Sequence, residues 1–425
     1  MGKFEGKVFL ELGTNAGSVE IVKYAKSEGA YVIVSDYLPP EKSEAKLYAD
    51  DTAMISTLDF DLLEQFAREK KVDGIFCGVS ETNLKAVREV THRLGLPCYF
   101  TKDQWDLCQD KAEFKDLCRK YDVPIAKQFP ISNPPSSEEL HRLEYPVIVK
   151  PVDLGASRGI HICHNEQELL EGYNDAYEKS HSKKIIVEEY LIGDEISATY
   201  TVIKGKCKLS MVSQMYYNRE QKGLVPLPDA YIYPSKHLQR YIKEVDPKMR
   251  EMIESIGYSD GTIFITGIAR EDRFAFFEAG LRMAGTLPYL FISAVNGINI
   301  MQLMTEYAIN GSISEPEKLA LEDPFLKGKI CCLFSLLNKG GTIAAVTGLD
   351  KIRDIPGVIW ITEQRKIGDT IVSDGTLGQI HLRFYIVRET VDEIRAVIRE
   401  IRKNVFVTDQ NGNNMLLKSV ADEII

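Results

Sequence analysis

The first hundred residues alternate short apolar runs with amphipathic segments. An apolar run over residues 8–12 predicts a buried strand, and the spacing of Ile21, Val22 and Ala25 predicts a helix over 19–29. A strand over 30–35, a helix over 59–71 and a strand over 74–77 continue the alternation. This β-α-β order predicts a doubly wound parallel α/β sheet.

The pattern changes in the middle of the chain. Four prolines, Pro124, Pro130, Pro134 and Pro135, indicate a crossing between domains. Strands are then predicted over 147–150, 159–162 and 185–189, with a helix over 166–179. From residue 196 the pattern is mostly strand, with a helix over 248–256, and the mixed tail contains a long helix over 390–403.

Length and composition indicate a multidomain globular protein. The chain has 425 residues, a length too great for one ordinary core. Hydrophobic residues make up 44% and charged residues 27%, a composition typical of globular proteins. The net charge of -10 argues against nucleic acid as a partner, because nucleic-acid binding needs a basic face. No signal-peptide pattern and no apolar run of about 18 residues is present, so we expect a cytoplasmic protein without membrane contact.

The cysteines and histidines give little support for a metal centre. None of the eight cysteines forms a C-x2-C pair, which favours free thiols in a reducing compartment. The run His161, Cys163 and His164 resembles part of a metal site, but neighbours on a strand point to opposite faces and a fourth ligand is missing.

A glycine turn after the first strand suggests a dinucleotide site. Gly13, Gly17 and Asp36 stand where such a site has its glycines and its ribose carboxylate. The spacing is G-x-x-x-G rather than G-x-G-x-x-G, so a tight connection between strand and helix is favoured over NAD binding.

The strongest candidate chemistry follows Lys150. This lysine ends an apolar strand, and the loop after it contains Gly155, Ala156 and Ser157. Small residues let backbone N–H groups approach a polyphosphate closely. The loop is not a P-loop, because no G-K-[ST] follows and the chain returns as a strand. A hairpin turn that carries a strand-end lysine is the competing interpretation.

Carboxylates and one arginine follow at two later strand ends. Glu188 and Glu189 precede Tyr190 and Leu191, a segment that can offer its backbone and a carboxylate to a flat base, and Glu195 can accept from ribose hydroxyls. Further on, Glu278 suits a Mg²⁺ ion that bridges phosphates, and Arg282 suits an anionic substrate. A surface ion pair between Glu278 and Arg282 is the alternative.

In this order and spacing the residues resemble the ATP-grasp superfamily over nearly the whole chain. The resemblance implies that Lys111 and Lys150 contact the ATP phosphates, with the loop over 152–159 covering them. It implies an adenine-binding hinge at Glu188, Glu189, Tyr190 and Leu191, a ribose carboxylate at Glu195, a metal-binding Glu278 and a substrate-binding Arg282.

The same resemblance implies a domain layout. Residues 1–105 would be the pre-ATP-grasp α/β domain, and 106–327 the ATP-grasp domain, with an antiparallel-sheet core and a lid subdomain at about 126–190. Residues 328–425 would be a small mixed closing domain. This tail is similar to that of biotin carboxylases and bacterial L-amino-acid ligases, and carbamoyl-phosphate synthase large-chain domains are further relatives of this type.

Two positions depart from the family pattern. The Asn of its E-x-N-x-R motif is Gly280 here, and Thr266 occupies the place of the second metal-binding Glu. Glycine has no side-chain ligand and threonine is a weak neutral one. A Mg²⁺ ion held by ATP oxygens, water and one carboxylate is chemically sound. Loss of catalysis is the alternative.

The resemblance implies an ATP- and Mg²⁺-dependent ligase that joins a carboxylate to an amine, both small molecules. A homodimer is compatible with the sequence. The segment over 214–234, which includes Arg219 and Lys222, is expected to form a wall of the substrate pocket. Three alternatives stay open: a ligase that uses bicarbonate or a phosphoribosylamine, a non-catalytic ATP-binding protein, and an NAD-dependent oxidoreductase.

Overall fold

The computed structural model describes residues 2–154, 159–221, 226–419, 421 and 425. Its helices are α1 (Ser18–Ser27), α2 (Phe60–Glu69), α3 (Glu81–Leu94), α4 (Lys102–Gln109), α5 (Lys111–Lys120), α6 (Ser137–His141), α7 (Glu166–Lys179), α8 (Leu238–Glu244), α9 (Asp246–Ser255), α10 (Tyr289–Phe291), α11 (Ile300–Asn310), α12 (Leu349–Arg353) and α13 (Val391–Asn404). Its strands are β1 (Val8–Leu12), β2 (Tyr31–Ser35), β3 (Asp51–Ala53), β4 (Gly74–Phe76), β5 (Gln128–Phe129), β6 (Val147–Pro151), β7 (His161–Cys163), β8 (Ile185–Glu189), β9 (Asp194–Ile203), β10 (Lys206–Asn218), β11 (Leu227–Tyr233), β12 (Gly261–Ala269), β13 (Phe274–Gly280), β14 (Ile330–Leu337), β15 (Gly341–Thr342), β16 (Ala345–Thr347), β17 (Val358–Glu363), β18 (Thr370–Ile371), β19 (Ile380–Arg388) and β20 (Phe406–Thr408).

The N-terminal region contains the parallel sheet that the sequence predicts. Its described strands run in the order β3-β2-β1-β4, and every neighbouring pair is parallel. Central strand β1 is apolar and almost fully buried, as expected for a strand with helices on both faces of its sheet. The carboxyl ends of β1 and β4 meet at one edge, and the loop after β4 leads into α3. Side chains at the start of α3 therefore face the crevice where such sheets bind ligands.

A small antiparallel sheet forms the predicted lid region. Its described strands run in the order β5-β8-β6-β7. Helix α7 covers one face through Leu169, Tyr173 and Ala176, which are buried against Val147 and Val149. Asn165 caps the start of this helix with its side chain.

A large antiparallel sheet forms the centre of the molecule. Within the described residues it has eight strands in the order β13-β12-β9-β10-β11-β14-β19-β17. Strands β14, β19 and β17 come from the predicted closing domain, so hydrogen bonding continues across the predicted boundary between residues 327 and 328. The domain limits themselves remain a prediction.

The segment after α5 ties the lid to the large sheet. The N–H of Phe276 in β13 donates to the carbonyl of Pro124 at 2.8 Å, and Ile125 forms a parallel bridge with Phe276. The segment that enters the predicted lid therefore lies beside edge strand β13, and the chain leaves this region into β9, which pairs with β12. A search of the described residues finds no helix long and apolar enough to cross a membrane.

Candidate active site between lid and sheet

The candidate site lies where α5, the lid strands and β13 approach one another. Lys111 begins α5, and Asp110 caps that helix by accepting from the N–H groups of Ala112 and Glu113 at 2.7 and 3.2 Å. The Lys111 ammonium donates to the carbonyl of Leu154 at 2.6 Å, at the start of the predicted phosphate-covering loop. Burial lowers the pKa of Lys111, and the Glu278 carboxylate opposes that shift. Lys111 and Glu278 therefore share one site.

A buried charge cluster lies beneath the lid. The carboxylate of Glu188 contacts the ammonium of Lys150 at 2.6 Å and, on its other oxygen, the ammonium of Lys115. The side chains of Lys115, Lys150 and Glu188 are 0%, 7% and 1% exposed. Neither carboxylate oxygen reaches hydrogen-bond geometry, so the contacts are ionic. The strand register explains the pair, because Ile148 lies opposite Glu188 and Lys150 is its diagonal neighbour on the same face.

One carboxylate cannot satisfy two ammonium groups. Burial and the charge of Lys111 lower the pKa of Lys150 to about 8. Burial and the charge of Lys150 lower the pKa of Lys115. We assign the larger shift to Lys115, which is the more enclosed of the two lysines. Lys150 then keeps its charge near neutral pH and also lies 5.4 Å from the ring centre of Phe277, next to Glu278.

The predicted hinge is held rigid by its own contacts. Glu189 accepts from the N–H of Lys127 at 2.7 Å and from Arg273 at 2.6 Å, so its carboxylate is engaged. The N–H groups of Glu189 and Tyr190 donate to the carbonyls of Lys127 and Pro146. The sequence predicts that residues 188–191 recognise the adenine base. Because the Glu189 carboxylate and the N–H groups of Glu189 and Tyr190 already have partners, the groups that can contact a base are the carbonyls of this segment and the backbone around Leu191.

Glu195, the predicted ribose carboxylate, lies at the start of β9. It accepts a hydrogen bond from the hydroxyl of Tyr217, which a bulge in β10 aims toward it. Burial raises the pKa of Glu195, and the nearby charge of Glu278 adds to that shift. Glu195 and Glu278 therefore belong to the same polar region as the lysines.

The departures from the family metal motif lie side by side. Thr266 in β12 pairs directly with Glu278 in β13, at a bulge that also exposes the Glu278 side chain. The Thr266 hydroxyl is 3.4 Å from that of Ser197. The space next to Gly280 is filled by the ring of Phe264, since a Cβ there would lie 2.3 Å from two of its carbons.

These residues fit a magnesium ion only together with a nucleotide. Within the described parts of the chain, no three His, Cys, Asp or Glu side chains are grouped as a metal site. Glu278 supplies one exposed carboxylate beside two lysines. Mg²⁺ is commonly bound by one or two carboxylates, water and substrate phosphates, and this donor set suits that arrangement.

Arg282 connects the site to the N-terminal sheet. Its guanidinium donates twice to one oxygen of Glu81, from Nη2 at 3.0 Å and from Nε at 3.3 Å. Arg282 also stacks over Phe264 at 5.2 Å and lines a cavity of about 470 Å³. Thr266 lines the same cavity, so this space adjoins the Glu278 position. Met215, Tyr231 and Tyr233 of the 214–234 segment also line this cavity, whereas Arg219 does not; that the segment is a wall of the substrate pocket stays a prediction.

Four expectations concern residues that the structure does not describe. Gly155, Ala156 and Ser157 of the predicted phosphate loop lie outside the described residues, as does Lys222 of the predicted wall. Their proposed roles remain predictions from the sequence.

The two weaker motifs have structural explanations. Asp36 forms a buried ion pair with Lys46 at 3.0 Å, so its carboxylate has a partner within the protein. Gly17 has a left-handed φ of 94°, and a Cβ there would lie 2.5 Å from Met301. His161 contacts Asp175 at 2.7 Å. Backbone shape and packing thus account for these residues.

Three functional candidates were missed by reasoning from the sequence: Glu81, Lys115 and Tyr217. Glu81 could have been found, because it follows a strand at the carboxyl edge of the parallel sheet. Lys115 lies one helical turn after Lys111, but a lysine at that spacing is usually a surface residue. Tyr217 depends on a strand bulge that the sequence does not reveal.

Comparison with known proteins supports the class that the fold and site define. The family model of the D-ala D-ala ligase C-terminus matches residues 119–275. Carbamoyl phosphate synthase large chains from Clostridium perfringens and Clostridium beijerinckii are each 26% identical, over 72% and 70% of this chain. The match covers 29% and 28% of those relatives, so this chain spans less than a third of their length.

Solved structures share the fold over nearly the whole chain. L-amino acid ligase from Bacillus licheniformis aligns with a TM-score of 0.77 and 16% identity, covering 96% of this chain and all of that one. Phosphoribosylglycinamide synthetase from Anaerococcus prevotii aligns with a TM-score of 0.73 and 20% identity, covering 95% and 100%. Biotin carboxylase from Campylobacter jejuni aligns with a TM-score of 0.74 and 15% identity, covering 95% and 92%.

The family model, the relatives and the solved structures to which this chain is similar are all of the ATP-grasp ligase type. This chain shares their fold over nearly its whole length, in agreement with the resemblance to the ATP-grasp superfamily that its sequence motifs indicate.

Proposed function

We propose that this protein uses ATP to activate a substrate carboxylate as an acyl phosphate and then couples it to an amine, releasing ADP and phosphate. The observation that carries the proposal is the convergence of Lys111, Lys150 and Glu278 beside a cavity lined by Arg282. Cations suited to phosphates and a guanidinium suited to a carboxylate thus lie next to each other.

The first step is transfer of the γ-phosphoryl group. A carboxylate oxygen attacks the γ-phosphorus, a new P–O bond forms, and the bond to the β-phosphate oxygen breaks, with ADP leaving. Lys111 and Lys150 neutralise the phosphate charge, and Arg282 holds the carboxylate, so catalysis consists of positioning and electrostatic stabilisation. Glu278 would hold Mg²⁺, which supplies charge neutralisation between phosphate oxygens when it is bound with ATP.

The second step forms the C–N bond. The amine attacks the acyl carbon, the C–O bond to phosphate breaks, and the nitrogen loses a proton to water or phosphate. The acyl phosphate must be shielded from water, and a lid over the Lys111 and Glu278 region supports that requirement. The rigid hinge at 188–191 and Glu195 would hold the adenine and the ribose.

The test is release of ADP and phosphate by purified protein with Mg²⁺ and ATP, in a matrix of carboxylic acids and amines. We expect release that depends on both an acid and an amine, and a new amide detected by mass spectrometry. Glu278→Gln should reduce turnover about a hundredfold, because it removes the carboxylate that would hold the metal. The Glu278 side chain is exposed, so this variant should keep the wild-type melting temperature.

Two outcomes would contradict the proposal. ATP binding without release of ADP in any acid and amine pair would favour a non-catalytic ATP-binding protein, consistent with Thr266 and Gly280 at the metal positions. Release that depends on bicarbonate, or on a phosphoribosylamine, would instead assign one of the other ligase classes.

A further inference from the structure

The cavity beside Arg282 contains a second guanidinium that has no counterion. Arg383, from β19, lines the cavity and is 8% exposed. Its Nη1 donates to the carbonyl of Gly285 at 2.8 Å, and its Nε is buried without a hydrogen-bond partner. Over the described ranges of the chain, no Asp or Glu forms an ion pair with it. Arg282, by contrast, has the carboxylate of Glu81.

An unpaired buried charge is unfavourable. Moving a cation out of water costs several kcal/mol unless an opposite charge or a full set of hydrogen bonds replaces the water. One carbonyl and two neighbouring tyrosines, Tyr231 and Tyr385, do not replace a counterion, because a neutral hydroxyl carries no opposite charge. The protein keeps this charge at the wall of a cavity large enough for a small molecule, which is the arrangement expected where a ligand supplies the anion.

The two guanidinium groups are anchored close together. Arg282 donates to the carbonyl of Met283 at 3.1 Å, and Arg383 donates to that of Gly285, two residues along. Arg282 follows β13, whereas Arg383 lies on β19. The same cavity is also lined by Met215, Tyr233 and Phe264, which are largely apolar. The cavity thus offers two anion positions joined by an apolar surface.

We propose that Arg383 binds a second carboxylate, one that does not react. This inference rests on the proposed function, since Arg282 is taken to hold the carboxylate that is activated. A planar guanidinium matches a carboxylate in shape, and a single unpaired arginine suits one negative charge. The second carboxylate has two chemical sources: the amine substrate, if it is an amino acid, or the far end of a dicarboxylic acid substrate.

Steady-state kinetics of Arg383→Met and Arg383→Lys separate these sources. Each variant is assayed with an amino acid and with its amide as the amine, and with dicarboxylic and monocarboxylic acids. We expect Arg383→Met to raise the KM of the substrate that carries the second carboxylate at least tenfold. The KM for ATP and the kcat should change less than twofold. For Arg383→Lys, the KM of the substrate with the second carboxylate should lie between the values of wild type and Arg383→Met.

The uncharged analogue gives the internal control. If the amino acid is the source, the amide should be used equally well by wild type and Arg383→Met. If the dicarboxylic acid is the source, wild type and Arg383→Met should use the monocarboxylic acid equally well. Arg388→Met is the matched control, because Arg388 is on the same strand but is not a residue of the cavity wall. Equal KM changes for charged and uncharged substrates would overturn the proposal.

A binding measurement is independent of turnover. Melting temperatures are recorded with Mg²⁺ and ADP, with and without glutamate, glycine and succinate as probes. At least one probe should stabilise the wild type and not Arg383→Met. Without probes, Arg383→Met should melt at or above the wild-type temperature, because an unpaired charge has been removed.

The two proposals can fail separately. If no acid and amine pair releases ADP but a carboxylate probe stabilises only proteins that contain Arg383, the ligase proposal fails and the anion site stands. If wild type turns over while Arg383→Met retains both its substrate KM values and its probe shifts, the anion site is wrong and the ligase proposal stands. A large loss of melting temperature in Arg383→Met, with probe shifts retained, would assign Arg383 a structural role and overturn the inference.

Discussion

The ring of Phe264 occupies the space in which a side chain at position 280 would stand. A Cβ built on Gly280 would lie 2.3 Å from both Cε1 and Cζ of that ring, a distance that real Cβ atoms do not reach. Phe264 also supports Arg282, whose guanidinium lies 5.2 Å from the ring centre. The glycine at the position of the family's asparagine is thus in contact with Phe264, the residue that packs against Arg282, the arginine proposed to bind the substrate.

This contact predicts the effect of a small substitution. Gly280→Ala should destabilise the protein by about 1–3 kcal/mol, because an inserted methyl group forces the ring to move. Gly285→Ala is the matched control, since nothing lies within 4 Å of a Cβ at that position, and it should change stability by less than about 0.5 kcal/mol. Urea denaturation compares the two. Equal changes in the free energy of unfolding for Gly280→Ala and Gly285→Ala would show that the Phe264 ring moves aside without cost.

The pairing of Thr266 with Glu278 predicts a gain of metal affinity. Thr266→Glu places a second carboxylate directly opposite the first. The Mg²⁺ concentration for half-maximal ADP release should fall about tenfold, since added ligand charge strengthens binding of a hard cation. Thr266→Val, which removes the hydroxyl without adding charge, should leave the magnesium requirement unchanged. An unchanged requirement in Thr266→Glu would place the metal away from Glu278.

The cluster of Lys115, Lys150 and Glu188 predicts unequal losses of stability. Glu188→Gln leaves the buried ammonium group of Lys150 without its counterion and should cost about 3 kcal/mol or more. Lys115→Met leaves a balanced pair of Lys150 and Glu188, so its cost should be much smaller. Urea denaturation at neutral pH compares the two variants. If Lys115→Met were the more damaging, Lys115 would have to contribute by packing rather than by charge.

His381 predicts a pH dependence of stability. Burial lowers its pKa to about 4, and its Nδ1 accepts from the side chain of Asn338 at 3.1 Å, which fixes the neutral form. Below pH 6.5 the unfolded chain binds a proton that the folded chain rejects, so His381 destabilises the fold progressively as the pH falls toward 4. The loss should reach about 2–3 kcal/mol at pH 4.

His381→Gln should therefore be less sensitive to acid than the wild type. Urea denaturation from pH 7 to pH 4 measures this difference, and His141→Gln is the control, because His141 is largely exposed. Parallel pH curves for wild type and His381→Gln would show that His381 is protonated in the folded state.

Much of the secondary structure follows from local patterns. The helix predicted over 166–179 is α7 with the same limits, and the strand over 185–189 is β8. The alternation in the first hundred residues predicts the parallel sheet correctly, because apolar strands buried on both faces give an unambiguous signal. The continuation of the large sheet through β14, β19 and β17 was not predicted, since strand pairing between distant segments leaves no local mark.

The sequence by itself determined the order of the motifs, the resemblance to ATP-grasp ligases and the residues that carry charge at strand ends and at a helix start. Lys150 and Glu278 could be picked out because each stands at the end of an apolar strand, and Lys111 because its position matches the family pattern. Only the tertiary structure decided which charges are paired. Glu81 neutralises Arg282, Lys115 shares Glu188 with Lys150, and Arg383 has no counterion among the residues that the structure describes. These relationships join residues up to 201 positions apart in the chain, and they depend on packing between domains that no local pattern encodes.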